Sequence, residues 1–142
     1  MIKIENYING ELVSPIDSNY IDNYNPSKGE VYSLIPNSDS NDIENAVKAA
    51  ENAFPTWSKT PKNKRSEILV KLADLIDKNA KELAIAEATD NGKPLSLASH
   101  VDIPRASANI RFFATAILHN ASDSHHMEEG FTNYTIKNPI GV

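Results

Sequence analysis

The spacing of apolar positions divides the chain into three regions. Up to about Pro36 the apolar residues alternate with polar ones, the period of strands. In "YINGELV", Asn9-Gly10 stands between apolar flanks and predicts a hairpin, because a type I′ turn needs positive φ at both central residues. "YIDNYNPSKGEVYSLIP" predicts a second pair of extended segments around the turn Asn25-Pro26-Ser27-Lys28-Gly29.

From about Asn41 to Asn120 the period becomes helical. Asn41 followed by Glu44 resembles a capping box, with Ile43, Ala46, Val47, Ala50 and Phe54 on one face. Pro61 opens a second helix carrying Arg65, Ile68, Leu69, Leu72, Leu75 and Ile76 in register. Asn79 and Glu82 are the expected cap of a third, running through Leu83 and Ala86 to Asp90; Gly92 then supplies a left-handed turn and Pro94 blocks continuation. Ile103, Ala106, Ile110, Phe113 and Ile117 predict a fourth helix, beginning at Asp102-Ile103-Pro104. These stripes are expected to form the core, although helices without a sheet to cover them would leave apolar faces in water.

Beyond the helices, "HNASDSHHMEEG" reads as a polar loop and "TNYTIKNPIGV" alternates as a strand. Ile140-Gly141-Val142 has the character of the start of a further apolar segment, and a strand starting there has no partner.

Composition narrows the class. A chain of 142 residues with 40% apolar and 23% charged residues suits one folded domain rather than a disordered segment. The net charge of −5, with Lys and Arg scattered, argues against nucleic acid or a membrane surface as partner. The opening "MIKIENYING" does not read as a secretory signal, and the absence of cysteine fits a reducing compartment, with the cytoplasm the expected location. It also removes disulfides, thiolate zinc sites and a cysteine nucleophile from this chain.

Candidate chemistry is sparse. The five glycines are too far apart for a phosphate-cradling loop, and no serine sits in a nucleophile elbow. His125-His126 are adjacent in a loop and are expected to be solvated. Glu87 and Asp90 share a helix face, as an acid/base pair or as two solvated acids. Asp90 lies in the last turn of its helix, where the unsatisfied carbonyls disfavour an acid. Either it leans on Lys93, or a positive group belongs beside it.

Six segments occur in an order that carries more than their periodicity: "YINGELV", "YNPSKGEVYSLIP", "NDIENAVKAAENAFPTW", "KRSEILVKLADLI", "EATDNGKPLSLASHVDIPRASANIRFFA" and "YTIKNPIGV". Together they resemble the amino-terminal part of an NAD-dependent aldehyde dehydrogenase; Asn-Pro-x-x-Gly-Glu and Asp-Asn-Gly-Lys-Pro are the most specific motifs. "GKPLSLASHVDIPR" resembles the branch that oxidises 2-aminomuconic or 2-hydroxymuconic 6-semialdehyde.

The resemblance implies an α/β fold, mostly helical over this stretch. It implies N-terminal hairpin strands, a layer of four to five helices over 38–120, and a C-terminal strand of an oligomerisation arm. Residues 1–142 would then form part of an NAD-binding domain, with arm strands at 4–36 and 131–142. In such enzymes a thiolate attacks a small-molecule aldehyde, hydride passes to NAD or NADP, and water releases the acid. The family's reacting groups and nucleotide loop match no position here. The resemblance therefore implies a truncated or split piece, inactive by itself and not binding the dinucleotide. The alternative is a free-standing helical binding or assembly module derived from such an enzyme.

Three features carry over. Asp90 matches a monovalent-cation site that also uses main-chain oxygens, here those of Asn23 and Tyr24; K⁺ and Na⁺ are hard cations suited to such oxygens. Arg105 matches a position that holds a substrate carboxylate in the muconic-semialdehyde branch, for which a planar guanidinium is suited; otherwise it is an exposed helix arginine. The strands at Ile4 to Val13 and Asn133 to Pro139 match those that assemble subunits into dimers or tetramers, and such edges are sticky when unpaired.

Overall fold

The computed structural model describes residues 1–142. A short β1 (Ile2–Lys3) precedes the first hairpin, β2 (Asn6–Ile8) and β3 (Glu11–Val13). The hairpin turn is the one the Asn-Gly pair demands: Asn9 has φ 54° and Gly10 φ 86°, and Tyr7 faces Leu12 across the strands. The second pair is β4 (Tyr20–Asn25) and β5 (Glu30–Pro36), antiparallel about Pro26 to Gly29; β1 adds parallel to β5, giving the order β1-β5-β4. Asn23 faces Ser33 and Tyr24 faces Val31, so Tyr32 is an extra residue, a bulge that bends β5 and re-aims its side chain.

Four longer helices follow. α1 (Ser40–Trp57) is capped by Asp39 and Asp42, not by Asn41 and Glu44. The Asp39 carboxylate accepts from the backbone N–H of Asn41 at 2.8 Å and of Asp42 at 3.2 Å, and Asp42 returns the contact to Asp39 N at 3.0 Å. Asp42 also accepts from Ile16 N at 3.0 Å, so the earlier start ties the strand region to the helix. α2 (Lys62–Lys78) begins directly after Pro61. α3 (Ala80–Asn91) has no side-chain cap at its start, contrary to the role expected of Asn79; Asn79 Nδ2 instead donates to Leu75 O at 2.7 Å and closes α2.

The last helix starts earlier than its apolar spacing predicts. Pro94 both stops α3 and opens a single turn, α4 (Leu95–Leu97), its carbonyl accepting from Leu97 N and Ala98 N. A π-turn at Ala98–Asp102 leads into α5 (Ile103–Ala116). Pro104 explains the π-turn, because a proline ring inside an α-helix clashes with the carbonyl four residues back, here that of His100, and a wider turn relieves the clash.

α2 and α5 make the main helix–helix contact, through small residues. Nine of 142 residues are buried, among them Ala73, Ala84, Ala98, Ala114, Ser66 and Ser107. Ser107 Oγ donates to Ala73 O at 3.3 Å, a bond that requires close backbones. The large apolar residues expected in the core lie elsewhere: Ile43, Val47, Ile68, Leu72, Leu75, Leu83 and Phe113 are exposed. Helix meets helix through alanine and serine, while the stripes are left half-buried, as at Leu69, Ile76 and Ile110, or exposed.

The stretch expected to be a polar loop contributes β6 (Ser124–His126), which pairs antiparallel with β7 (Thr132–Tyr134) beyond it. Strand structure ends at Tyr134, short of the Asn133 to Pro139 expectation, and this hairpin pairs with neither N-terminal sheet. His125 and His126 occupy successive exposed strand positions, so they point to opposite faces.

Candidate functional site

The two most specific motifs meet in space. Gly92, at φ 76°, ends α3 with its N–H donating to Ala88 O at 3.1 Å. It also lies against the β4–β5 turn: a Cβ there would stand 3.0 Å from Pro26 Cβ, and Ser27 Oγ donates to Gly92 O at 3.2 Å. Glycine is required twice, by the left-handed turn and by the close approach.

This docking brings Asp90 to the bulge. Asp90 Oδ1 accepts from Tyr32 OH at 2.5 Å and from Asn23 Nδ2 at 3.0 Å; Asn23 Nδ2 also lies 3.0 Å from Tyr32 OH and 3.1 Å from Ser33 Oγ. The Tyr32 hydrogen bond, then that from Asn23, lowers the Asp90 pKa, and the Asp90 carboxylate raises that of Tyr32. Asp90 is thus met by neutral donors, and Lys93 is not its partner. Asn23 meets Asp90 through its side-chain amide, a donor, and not through the main-chain oxygen expected to join Tyr24 as a cation ligand. A carboxylate beside a bulged strand and a helix C-terminus has the oxygen chemistry of a hard-cation site.

Lys93 turns the other way. Its Nζ lies 2.7 Å from Glu87 Oε1 and 2.6 Å from Asp102 Oδ2, and these acids, Asp102 first, raise its pKa. Glu87 also accepts from Asn91 Nδ2 at 2.6 Å, so Glu87 and Asp90 belong to separate clusters and do not form an acid/base pair. Arg105, 68% exposed, has a single long contact of 3.4 Å to Asp102 Oδ1.

Several groups were not singled out from sequence. Tyr32 is aimed by a bulge with no local signature. Asp102 sits where the apolar spacing predicts only a helix start. Arg111 forks to Asp74 at 2.9 Å and Asp77 at 2.8 Å, joining α5 to α2. Nothing short-range marks contacts between helices so distant in sequence.

A family model described as "Aldehyde dehydrogenase family" matches residues 13–142. The chain belongs to the aldehyde dehydrogenase family. It corresponds to the amino-terminal portion of that domain. Over its full length it is 46% identical to proteins named 2-aminomuconic semialdehyde dehydrogenase from Bos taurus and Homo sapiens, and it spans 29% of their length. An aldehyde dehydrogenase from Bacillus cereus, solved as an NAD⁺ complex, superposes with a TM-score of 0.88 at 35% identity, covering 93% of this chain and 27% of that one.

The glycines of this aldehyde dehydrogenase segment are spread over separate turns. Gly10, Gly29, Gly92 and Gly130 each take positive φ in a different turn, and Gly92 leads through Lys93 and Pro94 into α4.

Proposed function

We propose that this chain supplies the amino-terminal part of a cytoplasmic NAD(P)-dependent aldehyde dehydrogenase that oxidises an acidic semialdehyde of the muconic class. The observation carrying this reading is the 46% identity, over the whole chain, to proteins named for 2-aminomuconic semialdehyde. Arg105, exposed and loosely held, fits the role of taking the substrate carboxylate. Asp90 and the main-chain oxygens of Asn23 and Tyr24 fit a K⁺ or Na⁺ site that secures the strands to α3. Residues 1–142 serve as part of the NAD-binding domain, with the strands within 4–36 and 131–142 joining subunits into a dimer or tetramer.

In the full-length protein, steady-state kinetics with 2-hydroxymuconic 6-semialdehyde and NAD⁺ test the assignment. Turnover with a lower KM than for an uncharged aldehyde is the expected result; equal KM values would overturn the acidic-substrate reading. The 142-residue chain alone is expected to show no turnover and no NAD⁺ binding by calorimetry. Micromolar binding would contradict this. Exposed strand edges predict concentration-dependent association of the isolated chain, and a monomeric sedimentation profile throughout would count against that.

The second reading is a free-standing helical assembly module, and the absence of cysteine in the chain fits both readings. A stop codon directly after Val142, with no adjacent remainder, would support it; a continuation in frame would exclude it.

A further inference from the structure

Arg105 stands three residues after Asp102, a spacing at which an acid and a base on one helix pair. An unopposed Asp102 would close on the guanidinium with two parallel hydrogen bonds, the geometry carboxylates prefer with arginine. It does not close here. Asp102 Oδ2 lies 2.6 Å from Lys93 Nζ, whereas Oδ1 stays 3.4 Å from Arg105. Asp102 and Lys93 are 20% and 24% exposed, against 68% for Arg105. The better-made pair is therefore also the more covered one, and Arg105 is left with its charge largely uncompensated in water. Lys93 is anchored from behind by Glu87 at 2.7 Å and from below by the Gly92 turn, which fixes where its side chain starts.

From this arrangement we infer that Lys93 is a positioning residue for substrate recognition: by engaging Asp102 it keeps the Arg105 guanidinium free to bind the carboxylate of an acidic aldehyde. The inference rests on the role proposed for Arg105 and assigns the residue that makes that role available. Without Lys93, Asp102 becomes an intramolecular competitor for the substrate carboxylate.

The test uses the full-length enzyme with two aldehydes of equal carbon count, 6-oxohexanoate and hexanal, and follows the ratio of their KM values. Arg105→Gln is expected to shrink the preference for 6-oxohexanoate about tenfold, the weight of one charge-assisted hydrogen bond. No change in that variant would remove the role of Arg105 itself. Lys93→Met is expected to raise KM for 6-oxohexanoate by about the same factor. Its kcat for hexanal, measured alongside, reports whether the variant is folded. The double variant Lys93→Met/Asp102→Asn is expected to recover the wild-type ratio, and Lys93→Arg to retain it. Asp102→Asn alone is expected to leave KM for 6-oxohexanoate no higher than wild type, and it carries the test if Lys93→Met does not fold. If Arg105→Gln loses the preference while Lys93→Met keeps it, or while the double variant fails to recover, the inference on Lys93 is overturned and the Arg105 role stands. A rise in KM for both aldehydes together, or a loss of preference in Asp102→Asn, would equally overturn it, the first because Lys93 is then only structural, the second because Asp102 then orients Arg105 instead of competing for it.

Discussion

Tyr32 and Asp90, 58 positions apart, share a 2.5 Å hydrogen bond that joins the strand region to the end of α3. The bulge makes it possible, since Tyr32 has no residue opposite it in the β4–β5 register. The two groups shift each other in opposite directions, Asp90 down and Tyr32 up. Asp90, depressed in the fold, contributes stability above its unfolded value of about 3.9, lost as pH falls through the lower folded pKa. Tyr32, raised in the fold, contributes stability below its unfolded value of about 10, lost as pH climbs through the higher folded pKa. Tyr32→Phe is therefore expected to cost no more than about 1 kcal/mol, discounted for the exposure of the pair, with a plateau between roughly pH 5 and 9. Thermal melts of both proteins across pH check this; a difference that does not shrink at either extreme would contradict it.

The proposed cation site predicts an ion-specific term on top of that bond. The full-length protein is expected to melt about 2–4 °C higher in K⁺ than in tetraethylammonium at equal ionic strength. Asp90→Asn should erase the difference between buffers while lowering stability in both. A difference that persists in the variant would remove Asp90 from the site.

Gly92 and Gly10 separate two costs of replacing glycine. Both have positive φ, 76° and 86°, but only Gly92 has a neighbour where a Cβ would stand. Gly10→Ala is expected to lose about 1–2 kcal/mol, the left-handed penalty alone. Gly92→Ala should lose at least about 1 kcal/mol more, because Pro26 must move. Denaturant melts of the two variants give the comparison, and equal losses would show that the two turns are not pressed together.

Asp42 serves two backbone donors, at Asp39 and Ile16, and is 4% exposed. Asp42→Ala leaves both N–H groups without their acceptor and should cost about 2–3 kcal/mol. Glu44→Ala, at the acid first expected to cap α1, should change stability by less than about 0.5 kcal/mol. Urea midpoints decide between them.

Much of the fold was legible because it is written in short-range rules. Asn9-Gly10 demands its turn, Gly92 and Pro94 end α3 wherever the helix lies, and Pro61 starts α2, since each depends on backbone geometry within one turn. The same locality made the motifs of the family recognisable. Asp90, Asn23, Tyr24 and Arg105 were singled out from the sequence, but Tyr32 beside Asp90 and Asp102 beside Arg105 were not.

What only the tertiary structure decided lies between elements. Four helical stripes were readable from their period, yet the period does not say which face meets a neighbour. Here alanine and serine make the close α2–α5 contact while Ile43, Leu75 and Phe113 face outward. Asp42, inside the local α1 cap, also takes a distant donor from Ile16. Asp90 found Tyr32 through a bulge, and Lys93 chose Asp102 across the α3–α5 junction. By itself the sequence determined the turns, the helices and the family, because those depend on neighbours along the chain. Which charge meets which depended on neighbours in space, and those exist only once the turns have docked.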